Sequence, residues 1–143
     1  MRRLLAAVNG SDQSDRAVRY VIELVRQIDG RGAEVHLVNV QAPITDWQLT
    51  GFLKRERIAE FQRLHGEHAM ASARALLDDA GVQFRAHTRV GPVGASIARC
   101  AGELDCDEIV MGTRGFSRFE SLLSSPVEAQ VLERATQPVT LVP

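Results

Sequence analysis

Gly112 and Gly115 follow the apolar run Ile109-Val110-Met111. A strand that ends in glycines and leads towards a helix lets backbone N–H groups approach a phosphate, because glycine has no Cβ to hold an anion away. Glycine makes up 11 of 143 residues, so the pair takes its meaning from the strand before it and the helix signals after it. Arg114, inside the loop, could meet a phosphate or an acid facing solvent. Asn9-Gly10-Ser11 forms another polar break after the apolar run Leu4 to Val8, where Asn and Gly suit a turn. His65 and His68 flank Glu67 at a spacing that could share a metal, but no third ligand converges on them and they read as surface residues. Cys100 and Cys106 have neither a metal-ligand spacing nor a nearby histidine, and are expected to be reduced, semi-buried thiols. Neither G-x-S-x-G nor G-x-G-x-x-G occurs, and Lys54, the only lysine, is far from the glycines, so no Walker-type loop is formed.

The elements that must position these residues alternate along the chain. Leu4 to Val8 predicts a buried strand. From Asp12 the residues Ala17, Val18, Val21, Ile22, Leu24, Val25 and Ile28 share a helical face, with Gly30 and Gly32 as the stop. A strand is expected over Glu34 to Val40, then a polar loop from Gln41 to Gly51 containing Pro43 and Trp47. A long helix over about 52–80 would bury Phe61, Leu64, Ala69, Ala73, Leu76, Leu77 and Ala80 and be capped by Gly81. Val82 to Val90 alternates like a strand, Gly91-Pro92 turns into a helix over about 93–102, and the strand at Ile109 follows. A last helix over about 126–135 and a strand Val139 to Val142 end the pattern. Strands and helices in alternation imply one α/β domain over residues 1–143: a doubly wound parallel sheet with helices on both faces.

The composition excludes several classes. The net charge of −1 leaves no basic footprint for nucleic acid, and Arg residues are interspersed with acids. No run approaches the length of a membrane span, and the apolar stretch after Met1-Arg2-Arg3 is too short for a signal peptide, so a cytoplasmic location is expected.

Over nearly its whole length the chain resembles the universal stress proteins. Leu4 to Ser11 is similar to the family's opening strand, which usually ends in Asp-Gly-Ser, and Asp107 to Gly115 closely resembles its most recognisable segment. Val90-Gly91-Pro92-Val93 and Gln137 to Pro143 also fit. The resemblance implies five parallel strands in the order 3-2-1-4-5 and a homodimer through the C-terminal edge strand, with Val139, Thr140, Leu141 and Val142 as the interface. It also implies an adenine-nucleotide crevice where the strand order reverses. Carried onto this chain, that site comprises Ala7, Asn9, Gly10, Ser11, Val40, Met111, Gly112, Arg114, Gly115, Ser125, Pro126 and Val127.

The nucleotide pattern is incomplete. ATP-binding members resemble G-x2-G-x9-G-[S/T]; here Gly112 and Gly115 are followed by Ser125 and Pro126 in place of the final pair. Ser125 adds a side chain where backbone would approach phosphate, and Pro126 has neither N–H nor hydroxyl. Ser125-Pro126-Val127-Glu128 instead reads as a capping box in which Ser125 accepts from the N–H of Glu128 and the carboxylate returns to Ser125. Asn9 replaces the family's Asp, so a ribose hydroxyl would meet an amide rather than a carboxylate. The sequence therefore leads to a non-catalytic stress-response homodimer with weak or absent ATP binding, requiring no cofactor or metal. The alternative is an ATP- or AMP-binding switch with slow or no hydrolysis.

Overall fold

A computed structural model of the chain describes residues 1–28, 32–44, 55–113 and 126–143. The described strands are β1 (Arg2–Ala7), β2 (Ala33–Gln41), β3 (Phe84–Val90), β4 (Glu108–Gly112) and β5 (Val139–Val142). The described helices are α1 (Asp12–Gln27), α2 (Arg55–Asp79), α3 (Val93–Glu103) and α4 (Pro126–Arg134). All strand pairs are parallel and the sheet order is β3-β2-β1-β4-β5, the order that the resemblance implied.

Period-two alternation divides the sheet between two cores. Leu4, Ala6 and Val8 join Val35 and Leu37 against Val18 and Val21 of α1 and Met70 and Leu77 of α2. Leu5 and Ala7 join Val38, Ile109 and Met111 against Ile97 and Ala101 of α3 and Val131 of α4. Strand β1 is central and covered on both faces, which is why Leu4 to Val8 is uninterruptedly apolar.

Several boundaries move, each for a local reason. Strand β2 continues through Gln41, since it pairs with β3 up to Gln41↔Val90. Strand β3 starts at Phe84 rather than Val82 because the end of α2 claims the intervening backbone. Gly81, at φ +71°, and Val82 donate back to Asp78 and Leu77 in a C-terminal closure. The buried face of α2 is Gly66, Met70, Ala73 and Leu77; Phe61 and Leu64, expected inside, are each 52% exposed. At Gly66 the helix lies over Asn39 and Thr88 near the ends of β2 and β3, so the turns before it pass beyond the sheet and have no strand to cover. The Trp47 loop, the beginning of the long helix and the stop at Gly30 lie outside the described residues.

Cys100 and Cys106 are buried more fully than expected. Burial pushes both thiols up, Cys106 to about 12 with its neighbours Cys100 and Asp107 adding to the effect. Both are held as protonated thiols, the inert form of cysteine. At the amino end of the sheet, the buried Glu108 carboxylate accepts from Arg2 and, at 2.9 Å, from the Thr140 hydroxyl.

Candidate functional site

The carboxyl ends of β1 and β2 are joined by side chains. Asn39 Nδ2 donates to the Val8 carbonyl at 2.8 Å, and Gln41 Nε2 donates to Asn39 Oδ1 at 2.6 Å. After β1 the chain turns sharply: Asn9 Oδ1 accepts from the Ser11 N–H at 3.0 Å, and Gly10 takes φ +84°. Ser11 then caps α1, its hydroxyl accepting from the Ser14 N–H at 3.1 Å. The turn chemistry of Asn9-Gly10-Ser11 is thus present in full, and the first turn of α1 carries its own acids, Asp12 and Asp15.

Helix α2 closes over this end of the sheet because two glycines permit it. A Cβ on Gly66 would stand 2.7 Å from Thr88 Cγ2, and one on Gly10 would stand 3.4 Å from the Ala69 backbone. Between α2 on one side and the starts of α3 and α4 on the other lies a crevice of about 670 Å³, a size suited to a small-molecule ligand. Its walls differ. Val40, Val93 and Val127 supply apolar surface, while Asn9, Asn39, Gln41, His65, His68 and Ser72 supply polar groups. The Ser72 hydroxyl donates to Asp15 at 2.7 Å, tying α2 to α1.

Of the residues expected at a nucleotide site, Asn9, Gly10, Val40 and Val127 line this crevice. Ala7 and Met111 are ladder partners and lie fully buried in the core beneath α3 and α4. Ser11 is occupied as the α1 cap. Gly112 ends β4 against the first turn of α1, where a Cβ would stand 2.5 Å from the Gln13 carbonyl carbon. That contact requires glycine without reference to a ligand. Pro126 opens α4, and Glu128 sits in its first turn with 3% of its surface exposed. Arg114, Gly115 and Ser125 lie outside the described residues, and so does the pairing of Ser125 with Glu128.

Sequence reasoning missed Asn39, Gln41, Ser72 and Val93, and set His65 and His68 aside as surface residues. Both imidazoles are exposed, yet both face the crevice. A signal was available in β2: after Val35 and Leu37, the positions on the α2 side become Asn39 and Gln41, so the strand changes from core to polar floor. Another hollow, of about 530 Å³, lies by Arg2, Glu108 and Pro138. It is at the amino ends of the strands, the side opposite to that used by open α/β sheets, and its Glu108 carboxylate is already engaged. Among the described residues no three His, Cys, Asp or Glu side chains converge as a metal site, and no helix is long and apolar enough to cross a membrane.

The arrangement has clear relatives. Universal stress protein MJ0531 of Methanocaldococcus jannaschii is 26% identical over 141 residues, covering 99% of this chain and 81% of its own. The structure of a universal stress protein from Archaeoglobus fulgidus superposes with a TM-score of 0.72 at 25% identity, covering 100% of this chain and 98% of its own. A universal stress protein family protein of Arabidopsis thaliana, solved with AMP bound, has the same fold at a TM-score of 0.67 and 17% identity, covering 99% of this chain and 91% of its own. The family model described as the universal stress protein family matches residues 1–143 from end to end, and the chain accordingly belongs to that family.

Proposed function

We propose that this protein is a non-catalytic, cytoplasmic stress-response protein, a homodimer that holds an adenosine monophosphate-type ligand in the crevice and binds ATP weakly. The observation that carries this reading is the convergence of Asn9, Gly10, Val40 and Val127 on one crevice at the carboxyl ends of β1 and β2. It lies at the carboxyl ends of the parallel strands, the end that open α/β sheets use for ligands. The AMP-bound Arabidopsis thaliana relative has the same fold and supports the ligand class. Apolar valines suit a planar base and amides suit a ribose, while the Ser72 hydroxyl is committed to Asp15. These groups hold a ligand; they do not assemble a nucleophile with a base.

Weak affinity for a triphosphate follows from the start of α4. Pro126 offers no N–H there, and Glu128, buried in the first turn, already brings an acid to the positive end of the helix. Three further negative groups would meet that carboxylate, whereas a single phosphate can be placed elsewhere. Calorimetry and thermal shift with AMP and with Mg-ATP test the reading. AMP at ten times its dissociation constant should stabilise the fold by about 1.4 kcal/mol, and ATP at the same concentration by clearly less. An empty crevice at millimolar AMP would retire the proposal, and tight ATP uptake would favour the nucleotide switch instead.

The dimer has its own support. Ile109 and Thr113 donate to the carbonyls of Pro138 and Val142, so the alternate residues Val139 and Leu141 turn their backbone groups away from β4. Strand β5 carries no charge and no internal proline, the kind of edge that invites pairing. Light scattering should report the mass of two chains at micromolar concentration; a monomer would count against this edge as an interface.

A further inference from the structure

Helix α2 brings His65 and His68 to the crevice wall opposite the valines. Three residues apart, they share one helix face with Ala69 and Ser72, which also line the cavity. The polar groups around them are largely committed. Asn39 donates to Val8, Gln41 donates to Asn39, and Ser72 donates to Asp15. By contrast, the ring nitrogens of His65 and His68 make no hydrogen bond or ion pair among the described residues. The His65 ring packs on Phe61, centroid to centroid 4.3 Å, a contact that orients it without using its nitrogens. A neutral imidazole offers one N–H donor and an imidazolium offers two, and either suits a phosphate oxygen. At the other wall, Val127 is followed by the acidic Glu128 in the first turn of α4.

We propose that His65 and His68 receive the phosphate of a nucleoside monophosphate on the α2 wall, with the base against Val40, Val93 and Val127. This rests on the crevice being an adenosine-nucleotide site, and it adds which end of the ligand lies where. The phosphate is held by side chains of α2 and not by the start of α4, so phosphate recognition does not depend on the missing half of the glycine pattern. The polar floor of Asn39 and Gln41 then lies between the two ends, where the sugar would pass.

The test compares AMP with adenosine on the wild-type protein and on the double variant His65→Gln/His68→Gln. Both residues are exposed, so the variant should fold, and its melting temperature checks that. The wild type should bind AMP at least about tenfold more tightly than adenosine. In the double variant AMP should fall to the level of adenosine, adenosine itself should be unchanged, and the ³¹P shift of AMP on binding should be lost. If the double variant keeps AMP within about twofold of wild type, the phosphate lies elsewhere and this placement is overturned while the crevice remains a nucleotide site. If neither AMP nor adenosine binds the wild type, the nucleotide reading fails and this one falls with it.

Discussion

Replacing Gly112 with alanine is expected to lower the stability of the ligand-free protein by about 1–3 kcal/mol, the usual cost of forcing extra volume into a packed site. In a chain of this size that corresponds to a fall in Tm of roughly 3–10 °C. The reason is geometric. The new methyl would stand 2.5 Å from the Gln13 carbonyl carbon, and backbone yields less readily than a side-chain tip. Gln13 lies in the first turn of α1, between the cap at Ser11 and the Ser14 N–H that the cap satisfies. Neither side can retreat easily: β4 is fixed by its ladder to β5 through Gly112↔Val142, and α1 by its packing on the core. Melting curves without nucleotide decide the matter. An unchanged Tm together with lost AMP binding would return Gly112 to the ligand. If AMP affinity falls along with Tm, the loss is secondary, because the displaced turn carries Asn9 and Gly10 at the crevice rim.

Gly112 also shows where the sequence stops being informative. As one of a glycine pair after a strand, it reads as a phosphate loop, and nothing local indicates that a helix about 100 residues earlier in the chain will press against it. The architecture was far more legible. Leu4 to Val8 and Ile109 to Met111 are apolar without interruption because both sheet faces are covered, and alternation with amphipathic helices leaves little else than a doubly wound sheet. The strand order needed the family resemblance, since periodicity cannot say which strands are neighbours.

Side-chain roles at the crevice were legible only in part. Asn9-Gly10-Ser11 could be read as turn and cap because Asx turns and N-caps are local in sequence. The direction of His65 and His68 depends on how far α2 overhangs the sheet, which is set by Gly66 meeting Thr88 and Asn39 from two other elements. Phe61 and Leu64 were misplaced for the same cause: the helix continues past the sheet, and hydrophobic spacing alone does not mark where the sheet ends.

Acidification is expected to destabilise the fold through two histidines outside the crevice. His36 on β2 and His87 on β3 meet beneath α3, His36 Nδ1 lying 2.9 Å from His87 Nε2. His36 Nε2 faces the Glu34 carboxylate at 3.5 Å, which assigns the hydrogen on that nitrogen and leaves Nδ1 to accept from His87. Burial holds both imidazoles below their ordinary value. Glu34 opposes the effect at His36 while Arg85 and Arg3 reinforce it; at His87, His36, Arg89 and Arg85 all reinforce it. The unfolded chain therefore takes up these protons first as pH falls. Stability is whole above about pH 6.5, the value of a free histidine, and drains as pH drops towards the lowered folded-state values. While one such group remains neutral in the fold and charged outside it, the loss approaches about 1.4 kcal/mol per pH unit. Taking protons on both rings would also set two N–H groups against each other across the contact. Urea unfolding at about pH 7.5 and about pH 5.5 should show this loss in the wild type and a shallower one in His36→Gln/His87→Gln. A glutamine pair can keep an amide contact between the strands yet does not titrate. The comparison is of slopes within each protein, so a lower absolute stability of the variant does not obscure it. Equal slopes would place the acid sensitivity in other groups.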